Sequence, residues 1–299
     1  MKFCTTEQAL RFERGNVSLP PGVEYRVLYS DQLGVATYPL HHHAYYEALY
    51  FLSGSVRYVI EGEQYQLDAG ALLIVPPYHL HQVCPPADAP YERIVLGFDA
   101  LLPEKLSDGL CDLSACLDTQ RPGHTNVFWL ESGPREELHT LMHALLRESQ
   151  REELGKPLAE RALLTQLFLL LNRASQNGAF AAALEPPGAK LVRAVAAYLD
   201  RHYADPITLE TLEKRFFVSR YYLSREFTRL VGCPPHRYLL QKRLANAQRL
   251  LRGGTPPQQA AAQCGFDDYT NFYRRFRAAY GVGPQDYRAR FGAASRETP

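Results

Sequence analysis

Two stretches of this chain concentrate side chains suited to coordination or proton chemistry. One runs from His41 through His42 and His43 to Glu47; the other, Gly70–His81, ends in Tyr78, His79, Leu80 and His81. Alternate residues of a strand share a face. His41, His43, Glu47, Leu49 and Phe51 are all odd-numbered, so they point together if strand pairing continues through them. Imidazoles and a carboxylate on one face suit a divalent metal with positions left open for water or a ligand. They equally suit a polar pocket that holds no metal. His42 falls on the opposite face and is expected to be exposed, and His79 is expected to share a mouth with His81.

A second set of chemically capable residues is basic, and it is written twice. Leu223–Tyr238 is echoed by Phe272–Tyr287 at an offset of 49 residues. Arg225 falls on Arg274, Phe227 on Phe276, Gly232 on Gly281, Pro235 on Pro284 and Tyr238 on Tyr287. Matches in one register that include Gly and Pro mark an internal repeat. Each copy reads as a basic amphipathic helix stopped by a left-handed Gly and a following Pro. Thr208 and Ser219 are placed as N-caps of two helices in the first copy, with a turn through Phe216–Val218 between them. In the second copy, Thr255–Gln258 has the form of a capping box with Pro at the first helical position, a turn follows at Cys264–Phe266, and a helix begins near Asp267 or Asp268. Helix, tight turn, helix is the helix-turn-helix pattern. Between the copies, Pro235–Arg252 carries apolar residues at helical spacing. Its eighteen residues, at ~1.5 Å each, give ~27 Å, comparable to the ~34 Å between successive turns of one groove face. A core of Phe and Leu explains the packing but leaves the repeated arginines unexplained; two basic helices on a common rod suggest reading of double-stranded DNA.

Residues 191–290 resemble the DNA-binding domain of the AraC/XylS family of bacterial transcription regulators. The likeness rests on Val218–Ser219, Tyr222–Arg225, Phe227, Gly232 and Tyr238, then on Ala260–Ala261, Cys264–Asp268, Phe272, Arg274, Phe276 and Gly281–Tyr287. By position, the resemblance implies DNA contacts from Arg220, Tyr221, Ser224 and Arg225 in the first unit and from Tyr269, Thr270, Asn271 and Arg274 in the second. Arginine suits the guanine edge, and an aromatic or Thr methyl suits thymine. The two histidine-bearing stretches resemble the paired motifs of cupins, His41, His43 and Glu47 from one and His81 from the other, with Tyr78 standing where that pattern usually has Gly. The resemblance implies either a metal held by these four side chains or a metal-free effector pocket lined by them. It further implies control by a small molecule such as a carbohydrate, activation more often than repression, and RNA polymerase as a partner. The competing reading is an enzyme: a metal-dependent cupin fused to a DNA-binding module.

Composition agrees with two halves of different employment. The formal net charge is only +1, but residues 190–299 hold 19 Lys and Arg against 9 Asp and Glu, which leaves an acidic first half. That asymmetry suits a nucleic-acid-binding half joined to one that does not bind it. The first residues lack the apolar core of a signal peptide, and no run approaches a membrane span. Six Cys without CxxC pairing read as reduced thiols rather than a disulfide framework, consistent with the cytoplasm.

These signals together predict an α+β multidomain chain. Short strands separated by Gly and Pro over residues 1–130 predict a cupin-like jelly-roll β-barrel that binds the effector. Tyr38, Tyr45, Tyr58 and Tyr65 are expected to divide between its core and rim. A helical pair is expected over 131–177, a linker over 178–188, an all-α domain with two helix-turn-helix units over 189–292, and a tail over 293–299. The second helix of the pair is apolar around most of its circumference, so it needs covering on two sides. A second copy of the chain is the preferred second cover, with Leu163, Leu167 and Leu170 at the dimer contact; a wholly intrachain helix is the alternative.

Overall fold

The computed structural model describes residues 19, 23–32, 39–84, 91–121, 124, 126–178 and 184–292. Tyr38, residues 179–183 of the linker and the tail fall outside them. In chain order the strands are β1 (Tyr25–Gln32), β2 (Tyr46–Ser53), β3 (Ser55–Ile60), β4 (Glu63–Asp68), β5 (Leu72–Val75), β6 (His81–Cys84), β7 (Tyr91–Phe98) and β8 (Val127–Phe128). They pair antiparallel into a five-stranded sheet of order β1-β7-β2-β5-β8 and a three-stranded sheet of order β4-β3-β6.

Strand β2 shows how the sequence builds this half. Leu49 and Phe51 enter the core between the sheets with Tyr58, Leu67 and Val95. Ala48 and Tyr50, on the opposite face, join a second core formed with the helices that follow. Both faces are therefore apolar, as a sheet covered on both sides requires. Tyr45, Tyr58 and Tyr65 are all buried, so the rim expected for some of them is not where they sit. The β3–β4 hairpin turns on Glu61 (φ +49°) and Gly62 (φ +84°), the two positive φ values that a tight two-residue hairpin demands.

Helices α1 (Leu102–Ser107), α2 (Ser132–Ser149) and α3 (Lys156–Gln176) close the outer face of the five-stranded sheet. Here one expectation fails. Leu167 and Leu170 are buried within the single chain and only Leu163 stays partly exposed. The second cover of α3 is the segment through α1 and the turn at Ala115–Leu117, not another copy. Asn172 fixes that segment by accepting from the Cys116 amide (2.9 Å) and donating to the Leu113 carbonyl (2.9 Å). Periodicity registers that a helix is covered, not by what.

The remaining helices are α4 (Ala189–Arg201), α5 (Leu209–Phe216), α6 (Arg220–Val231), α7 (Pro235–Arg252), α8 (Pro257–Gln263), α9 (Tyr269–Tyr280) and α10 (Pro284–Phe291). They form two cores that share α7. Its first half, through Tyr238 and Leu239, packs with Val195, Leu212, Leu223 and Phe227. Its second half, through Leu244, Ala247 and Leu251, packs with Ala260, Phe272 and Phe276. Full burial of each large apolar side chain contributes ~1.5–3 kcal/mol, so both units grip the same rod. The Thr208 cap is present as a capping box with Thr211. The one expected at Thr255 is not: α8 starts at Pro257 behind Pro256, with no side-chain cap. Proline supplies the helical φ and needs no amide partner there, which leaves the threonine without that task. Among the described residues no helix is long and apolar enough to cross a membrane.

Candidate DNA-reading helices and the barrel histidine cluster

α6 and α9 are built alike. The Ser219 hydroxyl accepts from the Tyr222 amide (3.3 Å), and the Asp268 carboxylate accepts from the Thr270 and Asn271 amides (3.0 and 2.8 Å). Each helix has 12 residues and ends on a left-handed glycine, Gly232 (φ +84°) or Gly281 (φ +77°). Leu223 and Phe227 anchor the first, Phe272 and Phe276 the second. The opposite faces are left to solvent. Tyr221 is 76% exposed and the Arg225 side chain 72%; Thr270, Asn271 and Arg274 are exposed, while Arg220, Ser224 and Tyr269 are half-buried.

The guanidinium groups rest on weak local partners. Arg220 pairs with Glu210 (3.2 Å) and lies over the Tyr221 ring. Arg225 lies over Tyr222, 3.6 Å from Glu226, and Arg274 donates to Asn271 (3.3 Å). Exposed pairs of this kind contribute at most ~1 kcal/mol, so a phosphate or a base edge can take their place. A groove bordered by Thr208, Tyr221, Ser224, Arg225 and Thr228 runs beside α6.

The histidine stretches meet at one end of the barrel. His41 and His81 exchange backbone hydrogen bonds (3.0 and 2.8 Å), which joins the segment before β2 to the start of β6. His43, Glu47 and His81 bring their ligand atoms within 4.8 Å of one another, all buried. Glu47 Oε2 lies 3.4 Å from His43 Nε2 and 3.7 Å from His81 Nε2. Burial alone would raise the Glu47 carboxyl, but His43 holds it below the usual carboxylate range; burial and the neighbouring imidazoles push His81 well down. His41 is not part of that group, although its ring lies 4.1 Å from that of His81. Tyr78 adopts φ +64° and its amide donates to the His43 carbonyl (2.7 Å). A left-handed turn is therefore needed at this position, which is why glycine suits it, and tyrosine here accepts strain of ~1–2 kcal/mol.

An AraC-like ligand binding domain matches residues 26–168, and a helix-turn-helix domain of the AraC type matches residues 212–290. The chain belongs to the AraC/XylS family of transcription regulators. The HTH-type transcriptional activator RhaS of Escherichia coli (strain K12 / DH10B) is 25% identical over 285 residues, covering 91% of this regulator and 95% of RhaS. RhaS of Shigella flexneri matches to the same extent. A crystal structure of ToxT from Vibrio cholerae O395 covers 90% of the regulator and 98% of its own chain, with 12% identity and a TM-score of 0.37. The RhaS relatives are named as transcriptional activators of the helix-turn-helix type.

The regulator's two halves meet through side chains that lie between and beside the barrel histidines. His42, expected to be exposed, is 0% exposed. Its Nε2 lies 2.9 Å from the Tyr280 hydroxyl, which itself donates to the Leu244 carbonyl (2.9 Å), so the imidazole N–H donates to that hydroxyl. Burial pushes His42 down to about 3, which keeps the ring neutral. Leu80 is buried in the first helix-turn-helix core, and its amide donates to Glu61 (2.6 Å). Glu61 also accepts from Tyr238 (2.6 Å) and Lys242 (3.0 Å), and Lys242 pairs with Asp200 as well. Gln64 donates to the Leu230 carbonyl (2.8 Å), and a Cβ on Gly232 would collide with Gln82. Burial lowers His79, with Glu61 opposing that shift and Lys242 adding to it. The seam roles of Glu61, Tyr238, Lys242 and Tyr280 are not encoded in any local motif. The usable signals were a lysine inside the buried stripe of α7 and a glutamate at a hairpin position that favours glycine.

Proposed function

We propose that this regulator is a cytoplasmic, sequence-specific DNA-binding activator, controlled by an effector bound in its N-terminal half. It acts as a homodimer and recruits RNA polymerase. The proposed division is a barrel over 1–130, a helical pair over 131–177, a linker over 178–188, a DNA-binding domain over 189–292 and a tail over 293–299. The observation that carries this is the pair of matched helices on α7, with Arg225 and Arg274 each sixth in its helix. Arg220, Tyr221, Ser224 and Arg225 read one half of the site; Tyr269, Thr270, Asn271 and Arg274 read the other. His41, His43, Glu47 and His81 line the effector site.

Dimerisation is assigned to a surface near the start of α3 rather than to its buried stripe. Leu154 is 106% and Leu158 74% exposed, and Leu163 is only partly covered. Relatives named as activators support the sign of control. The test is to recover the genomic fragments that the purified protein retains and to footprint the tightest of them. Protection over paired sites, each spanning two neighbouring helical turns, supports the reading; uniform retention of all fragments refutes it.

A further inference from the structure

Three barrel imidazoles are held in one tautomer. Nδ1 of His41, His43 and His81 lies 2.9, 2.8 and 2.9 Å from the backbone carbonyls of Pro39, Tyr45 and His79. A carbonyl only accepts, so each Nδ1 carries a hydrogen; with a second proton Nε2 donates to the carboxylate, and without it Nε2 is a bare lone pair open to a metal ion. Nε2 of His43 and of His81 is buried with no hydrogen-bond partner, and both face the Glu47 carboxylate. Without that second proton, acceptors confront acceptors in a space closed to solvent, where an unpaired polar atom is expensive. Something positive belongs between them.

Separation decides what. Ligand atoms ~2.0–2.2 Å from one ion lie ~3.3–3.6 Å apart around a tetrahedron, and the two measured spacings are 3.4 and 3.7 Å. A proton shared with the carboxylate would need ~2.7–3.2 Å. A hydroxyl or water bonded to two acceptors at ~2.7–3.0 Å would hold them ~4.4–4.9 Å apart, wider than either spacing to Glu47. Two imidazoles and a carboxylate suit zinc, cobalt, nickel or ferrous iron rather than calcium or magnesium. Backbone carbonyls on Nδ1 are the outer-sphere arrangement that orients histidine ligands and raises their basicity.

We propose that His43, Glu47 and His81 bind one divalent transition-metal ion, with His41 or water beside it, and that this ion is the effector. The proposal rests on the reading of the barrel as the sensing half and names what it senses. The site has a direct route to the DNA-binding half. His43 and His81 hold the ion, while His42 and Leu80, their chain neighbours, reach Tyr280 of the second unit and the core of the first. An ion tying 41–43 to 79–81 therefore stiffens the surface on which both units are seated.

The full-length protein, free of any His tag and stripped with chelator, is titrated with Co2+ and followed by its visible ligand-field absorption. One equivalent giving an intense band, competed away by Zn2+, is the expected result. Glu47→Gln removes a direct ligand and should weaken binding by more than the ~10–100-fold that loss of an outer-sphere partner costs, with an unchanged circular dichroism spectrum; if it does not fold, His43→Gln is the second variant. His139→Ala disrupts the other close imidazole pair, His139 and His143 (ring centroids 4.3 Å apart), and should leave the band intact. No band, or a band lost only in His139→Ala, overturns the metal site. Operator affinity with and without Zn2+ is measured on the same samples. A shift that Glu47→Gln abolishes supports the ion as effector; metal bound as expected with unchanged affinity overturns the effector role and leaves the site standing.

Discussion

The two helix-turn-helix units carry reading helices of equal length, each capped by a short polar side chain and closed by a left-handed glycine, yet they meet the barrel in different ways. The first is held by Leu80 in its core and by Gln64 on Leu230. The second is joined to the barrel by hydrogen bonds running from His42 to Tyr280 to Leu244. Between them Glu61 grips α7 at Tyr238 and Lys242. What repeats is what a regular duplex demands of both units; what differs is what the barrel can hold. Even the turns diverge. Gly265 serves the second unit at φ +74°, while Phe217, 93% exposed, serves the first at φ +55°.

The largest expected effect breaks the grip on α7. Lys242→Met leaves Glu61 facing Tyr238 without its cation at a largely buried position, a loss of roughly 3 kcal/mol. The barrel and the DNA-binding half should then separate, read as faster cleavage in the 178–188 segment and a larger radius of gyration by X-ray scattering. The same grip has a pH window. Burial would raise Glu61, but Lys242 and its hydrogen bonds hold it below the ordinary carboxyl value of 4.5. Its stabilisation is therefore present above that value and lost as pH falls through the lower folded one. Burial would lower Lys242, but Glu61 and Asp200 hold it above 10.5, so its share is present below that value and lost as pH rises beyond the folded one. Scattering across pH should show the docked form between these limits.

Gly265→Ala comes next, because an added Cβ would collide with the backbone of Ala204 at a left-handed position. About 2–3 kcal/mol is expected, confined to the second unit, so hydrogen exchange should rise in α8 and α9 while α6 stays protected. Smaller again are Arg225→Ala and Arg274→Ala, each costing ~1–3 kcal/mol of operator affinity. The smallest change has the opposite sign. Phe217→Gly removes left-handed strain at an exposed side chain and should raise stability by ~0.5–1 kcal/mol, seen as a higher Tm. A loss of stability there would mean that the two turns are not equivalent.

Much of the DNA-binding half was legible because its signals are local. Caps at Thr208 and Ser219, the glycines that end α6 and α9, and the 49-residue repeat each act over a few residues. Odd-even alternation likewise placed Glu47, Leu49 and Phe51 on one inner face. The failures were at long range. His42 looked exposed because alternation says only that it leaves the barrel interior; its partner, Tyr280, lies 238 residues away in sequence. The stripe of Leu167 and Leu170 called for a cover, but nothing in its period distinguishes another copy from residues of the same chain. His41 lies outside the ligand group, with its Nδ1 on the Pro39 carbonyl (2.9 Å).

The central claim is that α7 presents α6 and α9 to successive turns of one duplex. It is tested most directly by measuring the affinity of Arg225→Ala and Arg274→Ala for every single-base variant of the operator. The account predicts that each variant loses preference at its own positions, with the two sets centred about 10–10.5 base pairs apart. Loss at the same positions in both variants, or at none, would contradict it.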